Sequence, residues 1–204
     1  VPSGVSASVS PTAICQGASV ALSSSATSNS QASYVMLSES FNAANAAWTT
    51  VNTSSGGTTA AAAWSYRPTG YTNPGGTQFT PGSGFILADS ETQDGSTTNV
   101  TLTSPAFSTV GVAAANISLS HFYNYNSGTS DRAYVEASAD GTNWVQLQVY
   151  SSDQGTSGTF ANATIALTAV LLDQPVVYVQ FRYTATDDNY WAVNNVTVTA
   201  ANTN

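Results

Sequence analysis

Alternation of apolar and polar residues is the strongest pattern in this chain, and it has the two-residue period of a β-strand. It is clearest in the stretch VVYVQFRY, residues 176–183, where four apolar or aromatic positions share one face: Val177, Val179, Phe181 and Tyr183. Successive side chains of a strand point to opposite faces, so this face is predicted to be buried. Strand-like runs also occur at residues 100–105, 116–125, 131–138, 143–150 and 190–200. The chain is therefore predicted to be rich in short strands.

Turn residues separate these runs. The pair Asp140-Gly141 lies between the runs at 131–138 and 143–150 and predicts a hairpin. No stretch repeats apolar residues at i, i+3, i+4 and i+7 over three turns, which is the pattern of an amphipathic helix. Short strands joined by Gly, Asn and Asp turns are typical of a β-sandwich. The predicted fold class is all-β, with four large side chains in the core: Phe122, Trp144, Phe181 and Trp191.

Two regions depart from this pattern. Residues 1–33 contain a separate two-strand pattern with a turn near Gln16-Gly17, and a Ser/Asn/Gln-rich stretch follows it. We therefore predict an N-terminal β extension at 1–33 and a sandwich at 34–204. Residues 49–84 are rich in Gly, Thr and Ala, and they are predicted to form long loops.

Composition narrows the functional class. Charged residues make up 7% of the chain, with three Arg, no Lys and a net charge of −8. So few cations cannot replace the counterions of a phosphate backbone, which excludes nucleic acid as a partner. No run of about 18 apolar residues is present, so no membrane span is predicted. A surface of Ser, Thr and Asn favours an extracellular or cell-surface location, and a single Cys leaves no disulfide within the chain.

Several motifs in order resemble a known family. They are SESF at residues 38–41, FILADSE at 85–91, TLTSPAFS at 101–108, VEASADGTNW at 135–144 and YWAVNNVTV at 190–198. The order resembles the choice-of-anchor J and cleaved-adhesin group, MAM-like jelly-roll modules of secreted surface proteins of Bacteroidetes-type bacteria. The resemblance covers about residues 35–200. The N-terminal segment resembles the first two strands of an Ig-like repeat.

The resemblance implies a jelly-roll β-sandwich with structural calcium, used in adhesion or surface display. A calcium ligand of such modules often comes from a Glu just before the first Phe of the roll, which here is Glu39. Another comes from an acidic pair in the last strand. This chain has Asn194-Asn195 at that place, and a neutral amide oxygen is a poorer ligand than a carboxylate.

An acidic stretch at residues 85–105 fits the same ion. Calcium takes six to eight oxygen ligands, and this stretch offers those of four residues: Asp89, Ser90, Glu91 and Asp94. Glu39 and either Asn99 or Asn194 are expected to join from adjacent strands. The spacing is not that of an EF-hand. The alternative for this stretch is a solvated acidic loop. A second candidate site is the turn Asp187-Asp188-Asn189, for which the alternative is an ordinary hairpin loop.

An aromatic cluster offers a different ligand. Trp64, Tyr66 and Tyr71 lie with Arg67 in a stretch flanked by Gly and Pro. Flat rings on a loop could stack on sugar faces. The competing interpretation, which we favour, is that these rings plug one end of the sandwich with the Arg67 guanidinium stacked on a ring.

Catalytic signals are weak. Cys15 and His121 are each the single residue of their kind, and a dyad would require the N-terminal segment to dock beside His121. Cys15 is read as a small buried apolar residue and His121 as a hydrogen-bonded strand residue. Glu136 lies within a strand run, but no partner for it can be named from the sequence. We expect no enzymatic activity.

The preferred hypothesis is a non-catalytic extracellular module that builds or decorates a cell-surface fibre. Lys-free strands lack the charges that normally protect sheet edges from pairing, and a two-strand segment cannot bury its apolar face alone. Residues 1–33 are therefore expected either to fold back on their own sandwich or to donate strands to a neighbour. The partner is another copy in a head-to-tail polymer, or a neighbouring repeat of a large surface protein. The alternative is a carbohydrate-binding module of a secreted hydrolase.

Overall fold

The computed structural model describes residues 3–10, 15–17, 19, 21–27, 33–93, 95–126, 131–186 and 189–200. The chain divides into two compact units, residues 1–32 with 202–204 and residues 33–201. The described part contains no helix with the length and hydrophobicity needed to span a bilayer.

The N-terminal unit contains a two-stranded antiparallel sheet. Strand β1 (Ser3–Ser10) pairs with β2 (Ala21–Thr27), with Ser10 opposite Ala21 and an irregular register between Ser3 and Ser6. The Ser8 and Ser23 hydroxyls lie 2.8 Å apart across the pair. Gly17 has φ +90°, a left-handed conformation that glycine adopts without strain.

The second unit is a β-sandwich of two antiparallel sheets. The five-stranded sheet has the order β10-β9-β12-β7-β4, and these strands are β4 (Thr49–Asn52), β7 (Thr98–Thr103), β9 (Arg132–Ser138), β10 (Val145–Tyr150) and β12 (Tyr178–Ala185). The six-stranded sheet has the order β11-β8-β13-β6-β5, and β3 also pairs with β13. Its strands are β3 (Val35–Glu39), β5 (Ser65–Arg67), β6 (Phe85–Asp89), β8 (Ala115–Asn124), β11 (Ala161–Ala166) and β13 (Tyr190–Ala200).

The main core lies between the sheets and is built by the alternation seen in the sequence. On β12, Val179, Phe181 and Tyr183 are fully buried, as the pattern predicts. The Phe181 ring stacks on Trp48 at 6.1 Å between centroids and meets Trp191 edge-on at 5.7 Å. Aromatic pairs at these distances stabilise a core beyond the area they bury.

A second apolar cluster covers the outer face of the six-stranded sheet at one end. Phe79, from the segment between β5 and β6, packs against Phe85, Phe122 and Tyr190 at centroid distances of 5.0 to 5.9 Å. Strand β6 is consequently buried along both faces, which explains why its sequence FILAD does not alternate.

Residues 49–84 differ from the loops that the sequence predicts. They include β4, the one-turn helix α1 (Thr59–Ala62) and β5. The two strands are short, and all four residues of β4 are exposed, so neither shows a buried face in its sequence.

The return strand β10 also differs from its predicted alternation. Its register against β9 shifts between Gln146 and Gln148, and such a bulge reverses which residues face inward. Tyr150 is consequently buried, whereas Trp144, predicted to be core, is half-buried just before the strand. Phe122, Phe181 and Trp191 are buried as predicted.

Candidate functional site

The acidic stretch begins where β6 ends. Asp89 pairs with Tyr190 of β13, is 4% exposed, and accepts a hydrogen bond from the Glu91 N–H at 3.1 Å. Burial raises the pKa of Asp89 to about 6, against the lowering effect of that hydrogen bond. The Ser90 and Thr98 hydroxyls are 2.8 Å apart. Asp89 is therefore a buried carboxyl that is costly to ionise.

The structure separates the two carboxylates that were expected to share one calcium ion. Glu39 and Asp89 lie on strands that pair with β13, but Glu39 is opposite Val196 and Asp89 is opposite Tyr190. Six strand positions at about 3.3 Å each place them roughly 20 Å apart. Asn99 lies in the other sheet, opposite Thr184.

The remaining predicted ligands add no cluster to this picture. Asp94, Asp187 and Asp188 fall outside the described residues. Within the described ranges, no three His, Cys, Asp or Glu side chains come together as a metal-binding group. The calcium site thus stays a prediction, and the geometry divides its two predicted carboxylates between the start and the middle of β13.

Glu39 and Asn194 lie at the middle of β13, whereas Asp89 lies at its start. The Glu39 carboxylate accepts hydrogen bonds from the Phe41 N–H at 2.6 Å and from the Asn45 amide. Asn194 is 2% exposed, its amide donates to the Ser83 hydroxyl at 3.0 Å, and its Oδ1 has no hydrogen-bond partner among the described residues.

The segment that follows Glu39 and the segment that contacts Asn194 are joined by a hydrogen bond and by close packing of their backbones. Asn42 Oδ1 accepts a hydrogen bond from the Gly84 N–H at 3.1 Å. A Cβ at Gly84 would lie 2.5 Å from the Phe41 carbonyl oxygen, so glycine is required for this approach. The carboxylate, amide and carbonyl oxygens in these adjoining segments are of the kind that a hard cation such as calcium binds.

The aromatic cluster does not present an open platform. Trp64 is 5% exposed and packs edge-on against Trp191 at 5.4 Å. The Tyr66 hydroxyl donates to the Asn42 carbonyl at 3.0 Å. The Arg67 guanidinium lies 4.6 Å over the Tyr71 ring, as the plug interpretation predicts. Trp64 is therefore too deeply buried to be an exposed stacking platform for a sugar.

A pocket opens beside this cluster, between the two sheets. We call it the side pocket; it has a volume of about 270 Å³ and is lined by Phe41, Ala43, Ala44, Asn45, Ala46, Trp48, Thr50, Trp64, Tyr66, Ile86 and Leu102. None of these described lining residues is charged. The sequence does not predict this pocket, because its walls come from four separate stretches of the chain: 41–50, 64–66, 86 and 102.

The outer side of the five-stranded sheet carries a polar cluster that includes Glu136, for which the sequence alone indicated no partner. Arg182 of β12 donates to Glu136 of β9 through Nε at 3.0 Å and Nη2 at 2.6 Å. Its guanidinium lies 3.7 Å over the Tyr134 ring. Beside them, Gln180 Nε2 donates to the Thr103 hydroxyl at 3.0 Å. We call the surface formed by Tyr134, Glu136, Tyr178, Gln180 and Arg182 the outer polar face.

The alternation in VVYVQFRY contained the signal for this cluster. It assigns Tyr178, Gln180 and Arg182 to the face opposite the core, and they do face outward. The pairing with Glu136 could not be read from the sequence, because it depends on which strand lies beside β12 and in what register.

His121 is a core residue. Its Nδ1 accepts a hydrogen bond from the Trp191 indole at 3.3 Å, and its ring lies 4.5 Å from that of Tyr150. Burial lowers the pKa of His121 to about 4, so the ring is neutral at physiological pH. Cys15 is exposed, not buried as expected, and it belongs to the other unit.

Comparisons with known proteins support the fold. No protein-family model matches the chain, and neither does any curated protein. Among solved structures, the chain is similar to the K3 cleaved adhesin domain of Lys-gingipain from Porphyromonas gingivalis W83, with a TM-score of 0.56 and 20% identity over 83% of this chain and 99% of that domain. The K1 domain of the same protein gives a TM-score of 0.56 and 20% identity over 81% of this chain and 98% of that domain. The chain therefore has the fold of the cleaved adhesin domains, a jelly-roll β-sandwich.

Proposed function

We propose that this chain is a non-catalytic extracellular module that builds a cell-surface fibre with further copies of itself. One observation carries the proposal: residues 3–10 and 21–27 form a two-stranded sheet in a compact unit separate from the sandwich. A two-stranded sheet is marginally stable in water and needs further strands or a packed face. Strand donation to a neighbour supplies both.

Two further observations support this proposal. The fold is that of adhesin domains, which is an argument by analogy of fold. The chain has no Lys and three Arg, and two of those Arg are engaged with tyrosine rings. Its sheet edges consequently lack the lysines that discourage edge-to-edge pairing.

Calcium belongs to the proposal as a structural ion beside the middle of β13, at Glu39 and Asn194. The unpartnered, buried Asn194 Oδ1 favours this position, because a buried polar atom without a partner costs free energy that a bound cation recovers. When bound, the ion supplies positive charge that joins the 41–45 segment to β13. Glu39 supplies the carboxylate, and Asn194 supplies a neutral oxygen.

The test of assembly is the mass of the whole chain as a function of concentration. Size-exclusion chromatography with light scattering is expected to give a weight-average mass above the 20.9 kDa of one chain, rising with concentration. A head-to-tail contact that does not close gives an open series of oligomers rather than one fixed size. A mass of one chain at every concentration up to the millimolar range contradicts assembly.

A second candidate function is glycan binding, and the outer polar face favours it over the Trp64–Tyr71 segment. Tyr134 and Tyr178 are half-buried rings, flanked by the amide of Gln180 and by the fixed carboxylate and guanidinium of the ion pair. Rings beside a few oriented polar groups are the usual make-up of a ligand site.

Native gels containing soluble neutral polysaccharides such as xylan, galactan or β-glucan test this candidate. Retardation that Tyr178→Ala removes and Tyr34→Ala keeps would support it, because Tyr34 is 41% exposed and lies outside the outer polar face. Trp64→Phe is a second control, expected to keep binding because Trp64 is buried. Retardation that survives Tyr178→Ala would place sugar binding elsewhere.

A further inference from the structure

The side pocket opens at the edge of the sandwich where each sheet ends in a short strand. Strand β4 is terminal in the five-stranded sheet, and β5 is terminal in its branch of the six-stranded sheet. Thr50 of β4 lines one wall of the pocket, and Tyr66 of β5 lines the other. The core of the sandwich is therefore incompletely covered between these two edges.

The chemistry of the pocket suits an apolar side chain. Its walls include the rings of Phe41, Trp48, Trp64 and Tyr66, and three alanines from the 43–46 segment line it as well. An apolar cavity of about 150 Å³ already holds a benzene molecule, and this pocket has about 270 Å³. Filling it would bury apolar surface that otherwise faces water.

The edge beside the pocket is open to another strand. Within the described residues, β4 pairs with β7 and with no other strand, and all four of its residues are exposed. Its sequence, Thr-Thr-Val-Asn, carries no charge, and Val51 is 57% exposed. Natural sheet edges are normally protected by charges, proline or bulges, and β4 has neither a charged residue nor a proline.

We propose that the β4 edge accepts a β-strand from a second copy of this chain, with side chains of that strand entering the side pocket. The inference rests on the proposed function and names its acceptor site. Thr50 is opposite Leu102, and both line the pocket. Residues directly paired across two strands share one face of the sheet, so the residue that pairs with Thr50 on a new strand points its side chain to the pocket.

The donor that fits is β1 of the second copy. Its described side chains, Ser6, Ala7 and Ser8, are exposed, small and uncharged, so they can approach an uncharged edge without a steric or electrostatic cost. Side chains alternate along a strand, so Ala7 lies on the face opposite to its two serine neighbours and suits the pocket. Backbone pairing then supplies affinity, and the pocket supplies specificity, as in other strand-addition complexes.

Matched substitutions in the whole chain test the acceptor site. Thr50→Lys places a charge at the pocket and on the β4 edge. Thr164→Lys makes the same change at an exposed position of β11, which is the terminal strand of the six-stranded sheet on the side away from β5. We expect Thr50→Lys to weaken self-association at least tenfold in light scattering, while Thr164→Lys matches the wild type. Far-ultraviolet circular dichroism and thermal melting confirm that both variants are folded.

A second pair separates the pocket from the edge. Ala46→Phe adds a ring to the pocket lining, and Ala47→Phe adds the same ring at the next exposed position, which is outside the lining. Ala46→Phe is expected to weaken association at least tenfold and Ala47→Phe to leave it unchanged.

The outcomes distinguish the inference from the proposed function. Association that persists in both Thr50→Lys and Ala46→Phe overturns the acceptor site and leaves assembly standing. Equal loss in Thr50→Lys and Thr164→Lys overturns it as well, because a charge at either edge then acts in the same way. A wild-type chain that stays monomeric overturns assembly, and the acceptor site with it.

Discussion

At the scale of single residues, two buried titratable groups have opposite effects on how the stability of the fold depends on pH. The folded pKa of His121, about 4, lies below its ordinary 6.5, so stability from this residue is lost as pH falls from 6.5 towards 4. The folded pKa of Asp89, about 6, lies above its ordinary 3.8, so stability from this residue is lost as pH rises from 3.8 through 6. Their windows overlap, and the two slopes partly cancel between pH 4 and 6.

Substitution of Asp89 separates the two effects. Asp89→Asn keeps an acceptor for the Glu91 N–H but removes the charge, so we expect the variant to be more stable than the wild type at pH 7 by up to about 3 kcal/mol. The advantage should vanish near pH 4, where the wild-type carboxyl is protonated. Urea unfolding at pH 7 and pH 4 measures the difference.

The control for this prediction is Thr97→Ala, an exposed and uncharged position beside the acidic stretch. It should give the same difference from the wild type at both pH values. A difference between Asp89→Asn and the wild type that does not change with pH would show that the Asp89 carboxyl titrates as an ordinary solvated one. The Asp89→Asn background should also reveal the loss of stability below pH 6.5 that His121 causes.

At the scale of elements, the sequence predicted the strands whose two faces differ in environment. The β12 segment alternates because its inner face meets the core, and the Asp140-Gly141 turn correctly joined β9 to β10. Strands β4 and β5 escaped prediction because they are short and lack a buried face, and the β10 bulge has no local signature.

The placement of the predicted ligands depends on the same scale. The sequence identified the carboxylates of Glu39 and Asp89 but could not give their register on β13, which decides that they lie six strand positions apart. The pairing of Glu136 with Arg182 was out of reach for the same reason. Chemistry that depends on one residue type could be predicted; chemistry that depends on strand order and register could not.

The Glu136–Arg182 ion pair is predicted to be asymmetric in its contribution to stability. Glu136 has 8% of its side chain exposed and Arg182 has 29%, so removing the guanidinium leaves a nearly buried carboxylate without its partner. We expect Arg182→Met to lower the free energy of unfolding by about 2–4 kcal/mol at pH 7. Replacing both, in Arg182→Met with Glu136→Gln, should restore part of the loss.

Chemical denaturation of the two single variants and the double variant measures this asymmetry. Thr101→Ala, at an outward position of the neighbouring strand β7, controls for a general effect of substitution on this face. Single-variant losses that simply add in the double variant would show that the two side chains act independently, against the bidentate contact in the structure.

At the scale of the whole molecule, two units of different character make up the chain. The sandwich unit has a large aromatic core, whereas the N-terminal unit is a two-stranded sheet. All charged residues of the chain lie in the second unit, and the sequence of residues 1–32 has none, so the N-terminal unit cannot rely on charge to prevent association. This contrast is why assembly, rather than catalysis or nucleic-acid binding, is the function we propose.

One calcium ion at Glu39 and Asn194 would stabilise the sandwich as a whole, because a ligand that binds the folded state favours that state. A site with one carboxylate should bind weakly, with a Kd near those of extracellular modules, about 10⁻⁴–10⁻³ M. At ten times the Kd, ligand linkage gives about 1.4 kcal/mol, which raises the melting temperature of a domain of this size by roughly 3–5 °C. We expect calcium to produce this rise in the wild type and EGTA to reverse it.

The two candidate carboxylates make opposite predictions for the same titration. Glu39→Gln should abolish the calcium-dependent rise if the ion lies beside Asn194, and Asp89→Asn should preserve it, since about 20 Å of β13 separates the positions opposite the two carboxylates. The reverse result would move the ion to the end of β13 where Asp89 is buried, and the bound cation would then return the pKa of Asp89 towards its ordinary range. An equal rise in both variants would place the ion at neither carboxylate, leaving the unpartnered Asn194 oxygen as a structural cost of the bulge beside it.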